Sequence, residues 1–300
     1  MNQHVTKIVE TFEQFRMPAT AIDQYQTGGK VKFANQVCQY VKTGKPIEFV
    51  MLGYPMKSPN ARDKVLGVLP DLGEEASMHN FARFNTAVKQ HYAPGINLTI
   101  ISDGYVFSDV VGVSDRIVAA YQEAAIHMAR VAPVQWYDLT DFYNKKSTLA
   151  GMRDKLNAQF GITDQELEQR VLFDPDVNAL YRGMIRFMEL DLAIHPYDSA
   201  NQLHKAAKRT ARAMMLRNEA YSQLIATEFS DYIRLSMHPG TNTKKFSFQL
   251  IPGANAHHSP WHGTVVNTGT EYVTMHKRDA EAAGYQLVYK EGQPYNYVTK

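Results

Sequence analysis

The stretch RLSMHPG, Arg234 to Gly240, spaces a cation, a hydroxyl and an imidazole two residues apart. Successive side chains of a strand point to opposite faces, so Arg234, Ser236 and His238 share one face and Leu235 and Met237 the other. Such a row can bind an anion and move a proton, because an imidazole titrates near neutrality. It can equally be the wet face of a half-exposed strand. Related chemistry recurs in two other segments. KSPNARDKVLGVLPD carries Lys57, Ser58, Asn60, Lys64 and Asp71, and SDGYVFSDVVGVSD carries Asp103, Asp109 and Asp115. Gathered in one crevice, these groups would hold an anion and shuttle protons. Plainer readings stand beside this one. Ser-Pro-Asn makes turns, Asp103-Gly104 can be only a turn, and Asp115 reads as the cap of the helix behind it. Lys205, Lys208, Arg209 and Arg212 share a helical face that reads as solvated.

The elements that must position these residues follow from the apolar pattern. IEFVMLGYP (47–55), INLTIIS (96–102) and VQWYDL (134–139) are β-rich, and helical patterns at 74–92 and 115–131 separate them. Strand and helix in alternation predict a parallel sheet with helices on its faces. In open sheets of that kind ligands bind beyond the carboxyl ends of the strands, and the polar segments above follow strands. From Ser147 to about Phe229 the pattern is helical. TDQELEQ marks one start and Ser199 precedes a long run. Strands return at 232–238, 245–251 and 263–268, and YQLVYKEGQPYNYV reads as a hairpin. The expected fold is therefore a Rossmann-like α/β core with a mostly parallel sheet, a helical subdomain and C-terminal strands. Its parts are 1–146 for the first part of the core, 147–229 for the helices, and 230–300 for the strands that complete core and site.

Composition narrows the partners. Thirty-two Lys and Arg against 30 Asp and Glu leave a net charge of +2, which gives no general reason to expect nucleic acid or a membrane surface. Hydrophobic residues make up 44% of the 300, enough for a full core. No apolar run approaches the roughly 20 residues of a membrane span, so the cytoplasm is the expected compartment. Cys38 is the one cysteine and sits in a helical pattern as a small apolar residue, so no disulfide framework exists. Glycine-rich dinucleotide and P-loop fingerprints and HExxH are missing. HHSPWH gathers His257, His258 and His262, but Pro260 breaks the helix that would align positions 258 and 262.

Taken in order, PMKSPNARDKVLGVLPD, ISDGYVFSDVVGVSD, YIRLSMHPGTNTKKFSFQLIP, SPWHGTVV and GQPYNYV resemble the isocyanide (isonitrile) synthase family, also described as the pyoverdine/dityrosine biosynthesis family. MLRNEAYSQLI, with Arg217 and Glu219, resembles it too. The resemblance implies a reaction that joins the α-amino group of an amino acid, usually tyrosine or tryptophan, to the C2 carbonyl of ribulose 5-phosphate. Fragmentation then leaves one sugar carbon on nitrogen as an isonitrile, with no redox cofactor and no metal. The product would pass to a downstream oxygenase. With that reaction in view, His238 becomes the first candidate for proton transfer. Asp103 and Asp109 would orient the amine or sugar hydroxyls, and Lys57, Ser58 and Lys64 would hold the phosphate. Arg234 would bind an anionic group, substrate carboxylate or sugar phosphate, with Ser236, Lys244 and His262 as further contacts. Two rival readings use the same residues. A non-haem iron oxygenase would join histidines among 238, 257 and 262 to an aspartate, and a phosphosugar-binding protein would use the cations without catalysis.

Overall fold

The computed structural model describes residues 3–17, 24–238, 244–253, 255–256 and 258–299. In chain order, α1 (Gln3–Glu13) and α2 (Lys30–Thr43) precede β1 (Ile47–Gly53), α3 (Leu72–Lys89), β2 (Ile96–Ser102), α4 (Gly104–Val111), α5 (Asp115–Ala129) and β3 (Val134–Tyr137). A helical stretch follows as α6 (Leu139–Phe142), α7 (Leu149–Phe160), α8 (Asp164–Phe173), α9 (Pro175–Leu192) and α10 (Ala200–Glu228). The chain closes with β4 (Ile233–Ser236), β5 (Phe246–Ser247), β6 (Thr264–Asn267), β7 (Tyr272–Met275), α11 (Lys277–Ala282), β8 (Gln286–Lys290) and β9 (Gln293–Val298).

Strands β1 to β5 form one parallel sheet in the order β3-β2-β1-β4-β5. The near-continuous apolar runs of β1 and β2 follow from helices covering both faces of the sheet. On one face Phe12, Phe33, Phe84 and Val118 of α1, α2, α3 and α5 pack with Phe49 and Phe246. On the other, Val106, Met152, Leu156, Tyr221 and Leu224 of α4, α7 and α10 pack on Val50 and Ile101. The helical stretch therefore shares a core with the sheet. Strands β6 to β9 build a second, mixed sheet in the order β7-β6-β9-β8, and the hairpin expected near the carboxyl terminus is β8 with β9. Among the described residues no helix is long and apolar enough to cross a membrane.

Several local readings change: the strand read over 232–238 ends at Ser236, leaving His238 beyond it, and the strand read over 245–251 shortens to Phe246–Ser247. The segment GYVFSDVV, read as part of a loop, is helix α4, with Val106, Phe107 and Val111 buried at helical spacing. Ser114, not Asp115, caps α5, its side chain accepting from the Ile117 amide. A serine before an acidic residue takes the cap and frees the carboxylate. Asp115 instead accepts from the Ser108 hydroxyl at 2.6 Å and from Arg153 at 2.7 Å.

Candidate active site

Strand order reverses between β1 and β4, since the chain leaves β1 for β2 on one side and reaches β4 on the other. Side chains beyond the carboxyl ends of these strands splay apart there and leave a crevice. A cavity of about 530 Å³ occupies it, walled by the segment after β1, by Asp103, Phe107 and Val111, by α9 and α10, and by Met237, His238, Trp261 and His262. The walls are largely apolar: Met184, Phe187 and Met188 come from α9 and Met214 from α10. The turn into this crevice is tightly built. Tyr54 takes a left-handed φ of 54°, a conformation that costs a non-glycine residue about 1–2 kcal/mol. Its carbonyl accepts from Ser102 at 2.9 Å and its hydroxyl shares a hydrogen bond with Ser77 at 2.6 Å, which hold the turn. A β-carbon at Gly104 would collide with the Pro55 carbonyl, so only glycine lets α4 start against the β1 segment.

Most charged groups around the crevice are paired. Lys57 is buried, and its ammonium lies 2.8 Å from Asp71, 2.8 Å from Glu74 and 2.9 Å from the Pro260 carbonyl. Burial opposes its charge, but Asp71 and Glu74 outweigh burial and raise its pKa. Asp71 also caps α3 in a capping box with Glu74, so one cation, two carboxylates and a helix start are locked together. Burial, with Glu74 beside it, lifts the Asp71 carboxyl to about 7 against the pull of Lys57. Nearby, Asp191 of α9 accepts from Ser58 at 2.6 Å and from Lys64 at 2.5 Å. Lys64 also sits 3.9 Å from the centre of the Phe187 ring, and burial lowers its pKa despite Asp191. These pairs bind the β1 segment to α3 and α9 and make the floor of the cavity rigid.

Three groups are different. Asp103, at the end of β2, lines the cavity, and its Oδ1 is shut off from solvent with no hydrogen-bond partner among the described residues. Burial pushes this carboxyl up to about 7. Arg234 donates to Ser222 of α10 at 3.1 Å and has no carboxylate partner among the described residues; burial lowers its pKa. Lys245, just before β5, has no carboxylate partner there either, and burial with Arg234 and Lys244 brings it down to about 8. The histidines stay neutral near pH 7. Although His238 keeps an exposed surface, desolvation by the surrounding chain and Lys245 hold it below the usual range, while burial, Lys64 and His238 hold His262 well below it. His262 shares a hydrogen bond with Ser259 at 2.9 Å and meets Phe187 edge-on, centroids 4.6 Å apart. Among the described residues no group of three or more His, Cys, Asp and Glu is placed to hold a metal.

Residues 37–288 match the family model of the pyoverdine/dityrosine biosynthesis protein. The chain belongs to this family. An isocyanide synthase from Aspergillus fumigatus is 31% identical over 298 residues, 91% of this chain, although the chain spans only 39% of that relative's length. An L-tryptophan isonitrile synthase from Fischerella ambigua is 32% identical over 86% of this chain and 79% of its own. An L-tyrosine isonitrile synthase from Pseudomonas aeruginosa is 30% identical over 95% of this chain and 89% of its own. The crystal structure of PvcA from Pseudomonas aeruginosa superposes with a TM-score of 0.89 at 27% identity, covering 99% of this chain and 100% of that one.

In this member of the pyoverdine/dityrosine biosynthesis family the crevice gathers Lys57, Ser58, Asp103, His238 and His262 in its lining. It does not gather Asp109. That residue lies on α4, half-exposed, 2.7 Å from Arg217 and 3.5 Å from Arg153, because helical spacing turns it away from the buried Phe107 and Val111. Lys57, Ser58 and Lys64 are engaged by protein carboxylates, which speaks against their serving as the phosphate's free donors. The Ser236 hydroxyl accepts from the His238 amide at 3.2 Å and so shapes the end of β4. Lys244 is exposed. His257, Pro239 and Gly240 lie outside the described residues. Sequence reasoning missed Lys245 and Asp191. For Lys245 a signal existed: KFSF alternates as RLSM does, placing Lys245 and Ser247 on one face. For Asp191, 133 residues from its partner Ser58, no local signal exists.

Proposed function

We propose that this protein is an isonitrile synthase that converts the α-amino group of an amino acid, tyrosine or tryptophan, into an isonitrile with ribulose 5-phosphate as carbon donor. The observation that carries the reading is Asp103, an unpaired carboxyl held up to about 7 beside an apolar cavity at the switch point of the sheet. An amine attacks a ketone only when neutral, and a base with a pKa near the working pH removes its proton most effectively. Asp103 accepts that proton and returns it to the departing carbinol oxygen as water leaves. Phe107, Met184, Phe187 and Met214 offer an aromatic side chain a flexible, polarisable wall. The relatives named for L-tyrosine and L-tryptophan support an aromatic amino acid as substrate. C2 has the same oxidation number in the ketone and in the isonitrile; its bonds to C1 and C3 both break, and with C1 leaving as formaldehyde and C3–C5 leaving, protonated at C3, as a glycerol-level phosphate, the conversion balances without an oxidant. Neutral His238 and His262 flank the cavity and can relay protons during cleavage of the sugar chain. Purified protein given ribulose 5-phosphate and each proteinogenic amino acid in turn should yield an isonitrile from an aromatic one, seen by its infrared stretch and one added carbon. Absence of such a product from every amino acid would remove the reading.

A further inference from the structure

We propose that Arg234 on β4 and Lys245, the residue just before β5, form the seat for the phosphate of the donor sugar, one turn of α10 from the crevice. This rests on the reading of the protein as a phosphosugar-using synthase, and it moves the phosphate from the lysines after β1 to the β4–β5 edge. Three independent features converge on the place. First, Leu235 pairs with Phe246 and Ser236 with Ser247, and Lys245, one residue before the paired segment, lies close enough to Arg234 for that guanidinium to lower its pKa. Adjacent residues of parallel strands, about 4.8 Å apart, point to the same face. Leu235 and Phe246 go into the core on the other face, leaving Arg234, Lys245, Ser236 and Ser247 together on the α10 side. Second, neither cation has a carboxylate partner among the described residues, and the buried Ser247 hydroxyl beside them has no hydrogen-bond partner there. Two desolvated cations placed together repel, and an anion removes that penalty. Third, the pair lies one turn of α10 from the cavity, without itself lining it. Met214 and Asn218 of α10 line it, and Ser222, the next residue in that helical row and about 6 Å further along, accepts the hydrogen bond from Arg234. Guanidinium binds phosphate oxygens in pairs and the ammonium supplies a point charge, a complementary set for a dianion.

Titration of inorganic phosphate, ribulose 5-phosphate and tyrosine into wild type, Arg234→Gln and Lys245→Met tests the seat. Each variant should bind phosphate and ribulose 5-phosphate roughly ten- to a hundredfold more weakly, and tyrosine as before. Arg234→Lys should recover part of the loss. The charged groups facing Lys245 are Arg234, Lys244 and His238. Wild-type affinity for the sugar phosphate should fall as pH rises through about 8, where free Lys245 loses its proton, and Lys245→Met should lose that dependence. Unchanged phosphate affinity in Lys245→Met, equal loss for tyrosine, or no phosphate binding by wild type would overturn the seat. Should Arg234→Gln unfold, Lys245→Met on the strand edge decides alone. The two readings fail separately. Phosphate binding that depends on Arg234 and Lys245 in a protein making no isonitrile keeps the seat and removes the synthase. Isonitrile formation with an unchanged KM for ribulose 5-phosphate in both variants does the reverse.

Discussion

In and near the crevice, charge desolvated by the fold is of two kinds. Beneath it, Lys57 faces Asp71 and Glu74, and Lys64 faces Asp191. By contrast, the partly buried Asp103 in the crevice lining, and Arg234 and Lys245 one turn of α10 away, have no counter-charge among the described residues. Burial penalises charge in both places, yet only the first set has its penalty offset within the protein. A paired charge holds elements together. An unpaired one is a standing cost to the fold that a ligand or a reaction can use. Residue type alone does not separate the sets, since each contains carboxylates and lysines.

The largest expected effect that tests this division is on rate. Asp103→Asn should lower turnover by roughly 10²–10⁴-fold with little change in tyrosine binding. Wild-type kcat/KM should rise as pH passes through about 7, where Asp103 of the free protein becomes the base, and the variant should lack that limb. A variant with wild-type turnover would move the base elsewhere. The next effect is on stability and has opposite signs in the two sets. Lys57→Met strands two buried carboxylates and should cost about 3–5 kcal/mol, read as a lower denaturation midpoint. Asp103→Asn should do the reverse above neutrality. Its folded pKa is raised, so the folded protein holds the proton while the unfolded chain releases it from about pH 4 upward; wild type loses stability between about 4 and 7, and the neutral variant does not. Denaturation curves at pH 4 and pH 8 on both proteins check the crossover, and a variant less stable than wild type at pH 8 would contradict it. The smallest effect belongs to Asp109→Asn. The half-exposed pair with Arg217 should contribute under about 1 kcal/mol, and turnover should stay within a few-fold of wild type.

Much of this was readable from the chain because strand patterns are local. The alternation of RLSMHPG placed Arg234 and Ser236 on one face, and the position of Asp103 directly after an apolar run placed it in the crevice. The five motifs pointed to the family that the family model matches. Pairing was not readable. Lys57 reaches Glu74 across 17 residues, Ser58 reaches Asp191 across 133, and Arg217 reaches Asp109 across 108. A lysine in a polar loop looks the same whether its partner is a substrate phosphate or a helix start folded over it. The helix at GYVFSDVV was hidden for a related reason, since Asp-Gly signals a turn while the burial that makes the next eight residues helical comes from α7, α10 and the sheet.

Isonitrile formation from the donor sugar is tested by following a single carbon. Purified protein is incubated with L-tyrosine or L-tryptophan and ribulose 5-phosphate carrying ¹³C at C2, and the product is examined by carbon NMR. An isonitrile whose terminal carbon holds the label is expected from wild type and is largely lost in Asp103→Asn. An unlabelled isonitrile carbon, or no isonitrile from any proteinogenic amino acid, would contradict the proposed function.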